Sequence, residues 1–136
     1  MQRALLITQN LLIRYGDHSA FAAFEPVNAP WEFSPIDMLF DFYREVRKQV
    51  QRYAPQAKFV FSDAGILDYE LWNTLFLDSD MQNVVLDTHY TTAFRYPGKT
   101  VLSVCVNAFL NTAAYIDSVK YSVWFGEWSL GTDNCP

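Results

Sequence analysis

Glycine is scarce, with five residues scattered through 136. A phosphate cradle needs a glycine-rich loop whose amides approach the ligand closely, so that class of nucleotide site is excluded. The G-x-S-x-G elbow is missing, which removes a triad built on a strand-to-helix serine. The two cysteines, Cys105 and Cys135, match no zinc spacing. Taken alone they are equally compatible with a bridge and with free thiols. Positive charge is also short: ten Lys and Arg face fifteen Asp and Glu, for a net −5 and a pI near 4.8. Phosphate binding needs clustered Lys and Arg, so a nucleic-acid partner is not expected. No apolar run approaches the ~18 residues of a membrane span. The start, MQRALLITQNLLIRYG, has an apolar core only from Ala4 to Ile7, too short for a signal peptide.

What is abundant is apolar surface. Hydrophobic residues make up 51% of the chain and charged residues 18%, which specifies one folded domain over residues 1–136 rather than disorder. Aromatics reach 17%, enough for a ring-rich core or for a surface that stacks on sugar rings. The first sixteen residues read as a helix with Leu5, Leu6, Leu12 and Ile13 on one side and Gly16 ending it. Ser34-Pro35-Ile36-Asp37 opens a second helix, with Ser34 as the cap and apolar residues recurring from Ile36 to Tyr53. Tyr69 to Phe76 and Val101 to Val119 read as further helices. Phe21–Val27, Lys58–Phe61, Asn83–Asp87 and Lys120–Phe125 read as short apolar strands.

Strands alternating with helices imply right-handed βαβ units, hence an α/β fold with a parallel sheet. Ligands in such sheets sit at the carboxyl ends of the strands. The residues there are Asn28, Ser62 with Asp63, His89 with Tyr90, and Glu127 with Trp128. A metal centre would have to be forced from His89, Asp87 and Asp63, and no metal or cofactor is expected. Glycoside chemistry asks for two carboxylates beside aromatic platforms. Glu127 can be one. Asp63 and Glu32 are weak candidates for the other, and Glu25 lies ~13 Å down its strand from position 29 at ~3.3 Å per residue.

Four stretches carry a resemblance: "FEPVNAPW", "SPIDMLFDFYREV", "VVLDTHYTTAF" and "WFGEWSLGTDNC". In this order the chain resembles the second half of the catalytic domain of family 5 glycoside hydrolases, in particular the exo-β-1,3-glucanases of fungi and oomycetes. The resemblance implies a partial (β/α)8 barrel with about four parallel strands, equivalent to strands 4–7, and outer helices. It also implies retaining hydrolysis of β-glucan. The family's Asn-Glu-Pro motif carries the general acid/base, and here it reads Asn28-Ala29-Pro30, so the acid position is vacated at Ala29. The family's nucleophile falls on Glu127. Asn28 would bond the sugar 2-hydroxyl and His89 matches the histidine of a His-x-Tyr motif, whose tyrosine falls on Thr91 with Tyr90 as its neighbour. Trp31 and Trp128 suit either sugar contact or packing at the barrel rim.

The resemblance further implies a secreted protein acting on a polysaccharide such as that of cell walls, although this chain has no signal peptide of its own. Secretion would favour a bridge between Cys105 and Cys135. With Ala29 in place of the acid, the chain is expected to be inactive or impaired. The rival readings are a non-catalytic carbohydrate-binding or interaction module and a truncated gene product. A half-barrel would leave two open edges and a concave face, which favours self-association.

Overall fold

The computed structural model describes residues 1–78, 81–91 and 100–129. Helix α1 (Gln2–Tyr15) leads into strand β1 (Ala23–Phe24), followed by helix α2 (Ile36–Tyr53), strand β2 (Lys58–Ser62) and the short helix α3 (Tyr69–Trp72). Strand β3 (Val84–Thr91), helix α4 (Val101–Ser118) and strand β4 (Ser122–Ser129) complete the order. All neighbouring strands pair in parallel, in the order β1-β2-β3-β4. The sequence therefore specifies an α/β fold with a four-stranded parallel sheet and flanking helices, as the alternation predicts.

Several elements depart from the expectations of the periodicity. β1 spans two residues rather than Phe21–Val27, because Pro26 has no N–H to give to a ladder. α2 begins at Ile36 with Pro35 as its cap and no side-chain cap bond. Ser34 precedes a proline, which holds it out of the helical region. α3 ends at Trp72 rather than Phe76, and the turns that follow lower Leu75 and Phe76 into the core. On α1, Thr8 and Leu12 are buried with Leu5 partly so, whereas Leu6 and Ile13 face solvent. Thr8 tolerates burial because its hydroxyl donates to the Ala4 carbonyl at 3.0 Å.

Alternation along the strands sorts side chains onto two faces. Phe59 pairs with Val84 and Phe61 with Leu86, and all four belong to the core beneath the helices. The intervening positions, Val60 with Val85 and Ser62 with Asp87, therefore point to the opposite, helix-free face. Phe61 is the centre of the helix-side core. Its ring lies 5.0 Å from Tyr121, 5.6 Å from Tyr43, 5.8 Å from Trp72 and 6.0 Å from Phe76. The polar tips of those rings are satisfied: Tyr43 donates to the Ser62 carbonyl at 3.0 Å and Tyr121 to the Trp72 carbonyl at 2.8 Å. Burial raises the Tyr121 hydroxyl to about 12 and raises Tyr43 further, so both stay neutral donors.

Asp63 and Thr88 also lie on the helix side. Asp63 accepts from the Thr88 hydroxyl at 2.6 Å, the Tyr115 hydroxyl at 3.3 Å and the Gly65 amide at 2.9 Å. It ties α4 to the sheet as a fully buried structural carboxylate, not as a rim acid. Cys105 is exposed on α4, and its expected pairing with Cys135 lies outside the described residues. Among the described residues, no helix is long and apolar enough to cross a membrane.

Removing the central ring is the sharpest test of this packing. Phe61→Ala is expected to destabilise the fold by ~3–5 kcal/mol in chemical denaturation. A loss below ~1 kcal/mol would mean that the ring cluster does not carry the core.

Candidate functional site

β3 and β4 each run past the ends expected from their apolar residues, and the extension creates the site. β3 continues through Thr88, His89 and Tyr90 to Thr91, and β4 through Gly126, Glu127 and Trp128 to Ser129. The register steps from Asp87 opposite Trp124 to His89 opposite Glu127, so β4 carries one extra residue, a β-bulge. The bulge brings Glu127 to the helix-free face beside His89.

Asp87 holds that bulge. It is almost fully buried, accepts from the Gly126 amide at 2.6 Å and contacts His89 Nε2 at 3.0 Å. A Cβ at Gly126 would overlap the Asp87 carboxylate, so the approach requires glycine. With Nε2 engaged on Asp87, the other ring nitrogen, Nδ1, faces Glu127 Oε2 at 3.8 Å. From the far side of the sheet, after β1, Asn28 Nδ2 donates to Glu127 Oε1 at 3.2 Å. Three residues that are distant in sequence, Asn28, His89 and Glu127, thus converge at the carboxyl ends of the strands. Glu127 keeps more than half of its side-chain surface in solvent, so an incoming group can reach it.

Position 29 carries only a methyl group. Ala29 has φ of 39°, a left-handed conformation that costs a non-glycine residue ~1–2 kcal/mol. The loop therefore holds a strained backbone geometry at the point where no proton donor projects.

Distance along the chain from position 29 argues against Glu25 as a substitute acid, yet it belongs to the same electrostatic cluster. Phe24 packs on the helix side, which sends Glu25 to the other face. Its Oε1 is buried without a hydrogen-bond partner. Its carboxyl is held above the usual glutamate range, first by burial, then by the negative charges of Asp87 and Glu127, with His89 opposing. Counting residues along one strand missed this, because neighbouring parallel strands bring groups together across the sheet.

The remaining candidates are placed elsewhere. Tyr90 pairs with Trp128 in register, and both point to the α4 side of the sheet, away from Glu127. Trp31 is exposed and packs edge-on against Phe33 at 5.2 Å. Thr91 closes β3, and its side chain is outside the described residues. Among the described residues, no group of three or more His, Cys, Asp or Glu is arranged to hold a metal. What the site can do chemically is narrow: an accessible carboxylate oriented by an amide and an imidazole can attack an electrophile or bind a hydroxyl-rich ligand.

Glu25 gives a pH test. A glutamate whose carboxyl is raised by folding favours the native state at low pH and works against it once the pH rises through the folded value. Glu25→Gln should therefore raise the melting temperature at pH 7–8 and leave it nearly unchanged at pH 4, near the unfolded glutamate value of ~4.3. An equal shift at both pH values would show that Glu25 is not raised.

No family model matches the chain. It is similar to the probable glucan 1,3-beta-glucosidase A of Emericella nidulans, at 25% identity over 143 residues. That likeness covers 99% of this chain and 34% of the fungal protein, so the chain spans about a third of the length of the curated relative it matches. The relationship is glycosidase-like.

Proposed function

We propose that the chain carries a retaining glycosidase site of the family 5, exo-β-1,3-glucanase type that has kept its nucleophile and lost its acid. In this reading the four strands correspond to strands 4–7 of a (β/α)8 barrel, and residues 1–136 are part of its catalytic domain. Glu127 is the nucleophile, Asn28 the ligand for the sugar 2-hydroxyl, His89 a subsite residue and Ala29 the vacated acid/base position. The observation that carries the reading is the convergence of Asn28, His89 and Glu127, at 3.2 and 3.8 Å, from three separate motifs of the sequence. The likeness to a fungal glucan 1,3-beta-glucosidase supports a β-glucan or related oligosaccharide as ligand and, with it, an extracellular setting.

The chemistry divides cleanly between what remains and what is gone. A carboxylate nucleophile attacks the anomeric carbon and expels the leaving group, which for a natural glucan is an alkoxide that needs a proton. Without a donor at position 29, that step loses the ~10²–10⁴-fold contribution of general acid catalysis. An aryl glucoside leaves without protonation, so Glu127 can still form the glycosyl-enzyme. Its hydrolysis is then slow for want of a base, and azide can replace water.

A second reading, non-catalytic carbohydrate binding, is favoured by one feature: Trp31 stands exposed three residues from Asn28, with Phe33 supporting it edge-on. A flat indole beside an amide is what a sugar ring needs in order to stack and hydrogen-bond.

Assays on laminarin-type glucan and on an aryl β-glucoside distinguish these outcomes. The chain should leave the glucan intact, and the aryl glucoside should yield a β-glucosyl azide in the presence of azide. With the first half of the barrel supplied, Ala29→Glu should raise glucan cleavage by ~10²-fold or more over the same assembly carrying Ala29. Binding of the oligosaccharide without aryl glucoside turnover would select the binding-module reading. Appreciable glucan hydrolysis by the unmodified chain would overturn the assignment of position 29.

A further inference from the structure

The arrangement around Glu127 leaves one polar group on the helix-free face without a task. Phe24 pairs with Phe59, so Glu25 stands level with Val60 of β2 and Val85 of β3, on the face that carries Asp87, His89 and Glu127. It is half-buried, and its Oε1 is cut off from water without a hydrogen-bond partner.

The donors nearby are committed elsewhere. Asn28 Nδ2 is given to Glu127 at 3.2 Å and the Gly126 amide to Asp87 at 2.6 Å. The two ring nitrogens of His89 face Asp87 at 3.0 Å and Glu127 at 3.8 Å. On the side of α2, the Tyr43 hydroxyl lies within the field of Glu25, but it donates to the Ser62 carbonyl at 3.0 Å. β2 brings Val60 and Ser62 to this face, neither of them charged.

The three carboxyls therefore differ in what supports a negative charge. A carboxylate is stabilised by the N–H groups it accepts and by water, and a shielded oxygen with neither is not. Asp87 has the Gly126 amide and the imidazole. Glu127 has the Asn28 amide and keeps more than half of its side-chain surface in solvent. Glu25 Oε1 has no donor. With all three ionised, three negative charges would share one imidazole. The direction for Glu25 agrees: burial first, then Asp87, hold its carboxyl above the usual range, with Glu127 adding to this and His89 opposing it.

We propose that Glu25 is a positioning residue for Glu127: it carries the proton of the cluster, leaves Glu127 as the anionic group that meets an incoming ligand, and gives the proton up when the charge at Glu127 is removed. The coupling acts through the field across the sheet and needs no contact between the two carboxyls. It is also reciprocal, because a proton on Glu25 removes a repulsion that works against charge on Glu127. Neutralising Glu127 by any means therefore draws the proton off Glu25 into solvent. This inference rests on the placement of the charges and is independent of the glycosidase reading.

Carbon-13 NMR of the chain labelled at the glutamate carboxyl carbons tests it, with signals assigned by substitution and followed through the carboxylate range of pH. In the unmodified chain Glu25 should titrate above the ordinary glutamate value of ~4.3. Glu127→Gln, which removes a negative charge and keeps the shape, should move the Glu25 midpoint down. Glu127→Lys, which substitutes a positive charge, should move it further. Glu25→Gln is a permanent stand-in for the protonated acid, so it should leave the Glu127 midpoint where it is. A Glu25 midpoint at or below ~4.3 in the unmodified chain would overturn the proposal, since Glu25 would then be ionised and paired. That measurement needs no variant to fold. Equal shifts from Gln and Lys, or none, would show that Glu25 does not respond to the charge at position 127. A displaced Glu127 midpoint in Glu25→Gln would show that the proton had been assigned to the wrong carboxyl.

Discussion

A buried carboxylate that accepts a backbone amide is a strong constraint, because leaving either group unpaired away from water costs several times what the bond contributes. Asp87 is in that position. It takes the Gly126 amide at 2.6 Å and His89 Nε2 at 3.0 Å, so one side chain fixes both the bulge in β4 and the orientation of the imidazole. Everything at the rim follows from these two contacts. The bulge turns Glu127 to the helix-free face, the imidazole presents Nδ1 to it, and Asn28 closes the far side.

The same face carries an electrostatic cost. Glu25, Asp87 and Glu127 are three carboxyls near a single imidazole, and Glu25 is held above its ordinary range first by its burial and then by the neighbouring negative charges. The opposite face has no such conflict. There Asp63 is fully satisfied by Thr88, Tyr115 and Gly65, and the rings around Phe61 fill the space. The sheet thus separates a well-satisfied structural side from a strained polar side. Ala29, with its left-handed backbone, sits at the strained end.

Much of this arrangement was legible in the sequence. Apolar runs separated by amphipathic helices are enough to specify a parallel sheet, and the polar residues after the first, third and fourth runs, Asn28, His89 and Glu127, do meet at the carboxyl ends of the strands. Boundaries were less legible, for one physical reason: strand residues that face a polar site look like loop residues. His89 and Glu127 follow the apolar runs in sequence, yet both lie within their strands. The glycine in "FGEW" was an available sign of the bulge, since glycine inside a strand marks close backbone approach. Pro26 was likewise a sign that β1 would be short. Glu25 was missed because distance along one strand says nothing about distance across the sheet. The sides taken by Tyr90 and Trp128 could be fixed only once the register was known, because a one-residue bulge exchanges the two faces.

The dependence of the rim on Asp87 can be measured directly by amide hydrogen exchange at Gly126, comparing the unmodified chain with Asp87→Ala. An amide bonded to a buried carboxylate opens only when the surrounding structure opens, so exchange should be slow even though β4 lies at the sheet edge. In Asp87→Ala, protection at Gly126 should collapse while protection in β2 persists. Fast exchange at Gly126 in the unmodified chain, or undiminished protection without Asp87, would contradict the claim that this carboxylate builds the site.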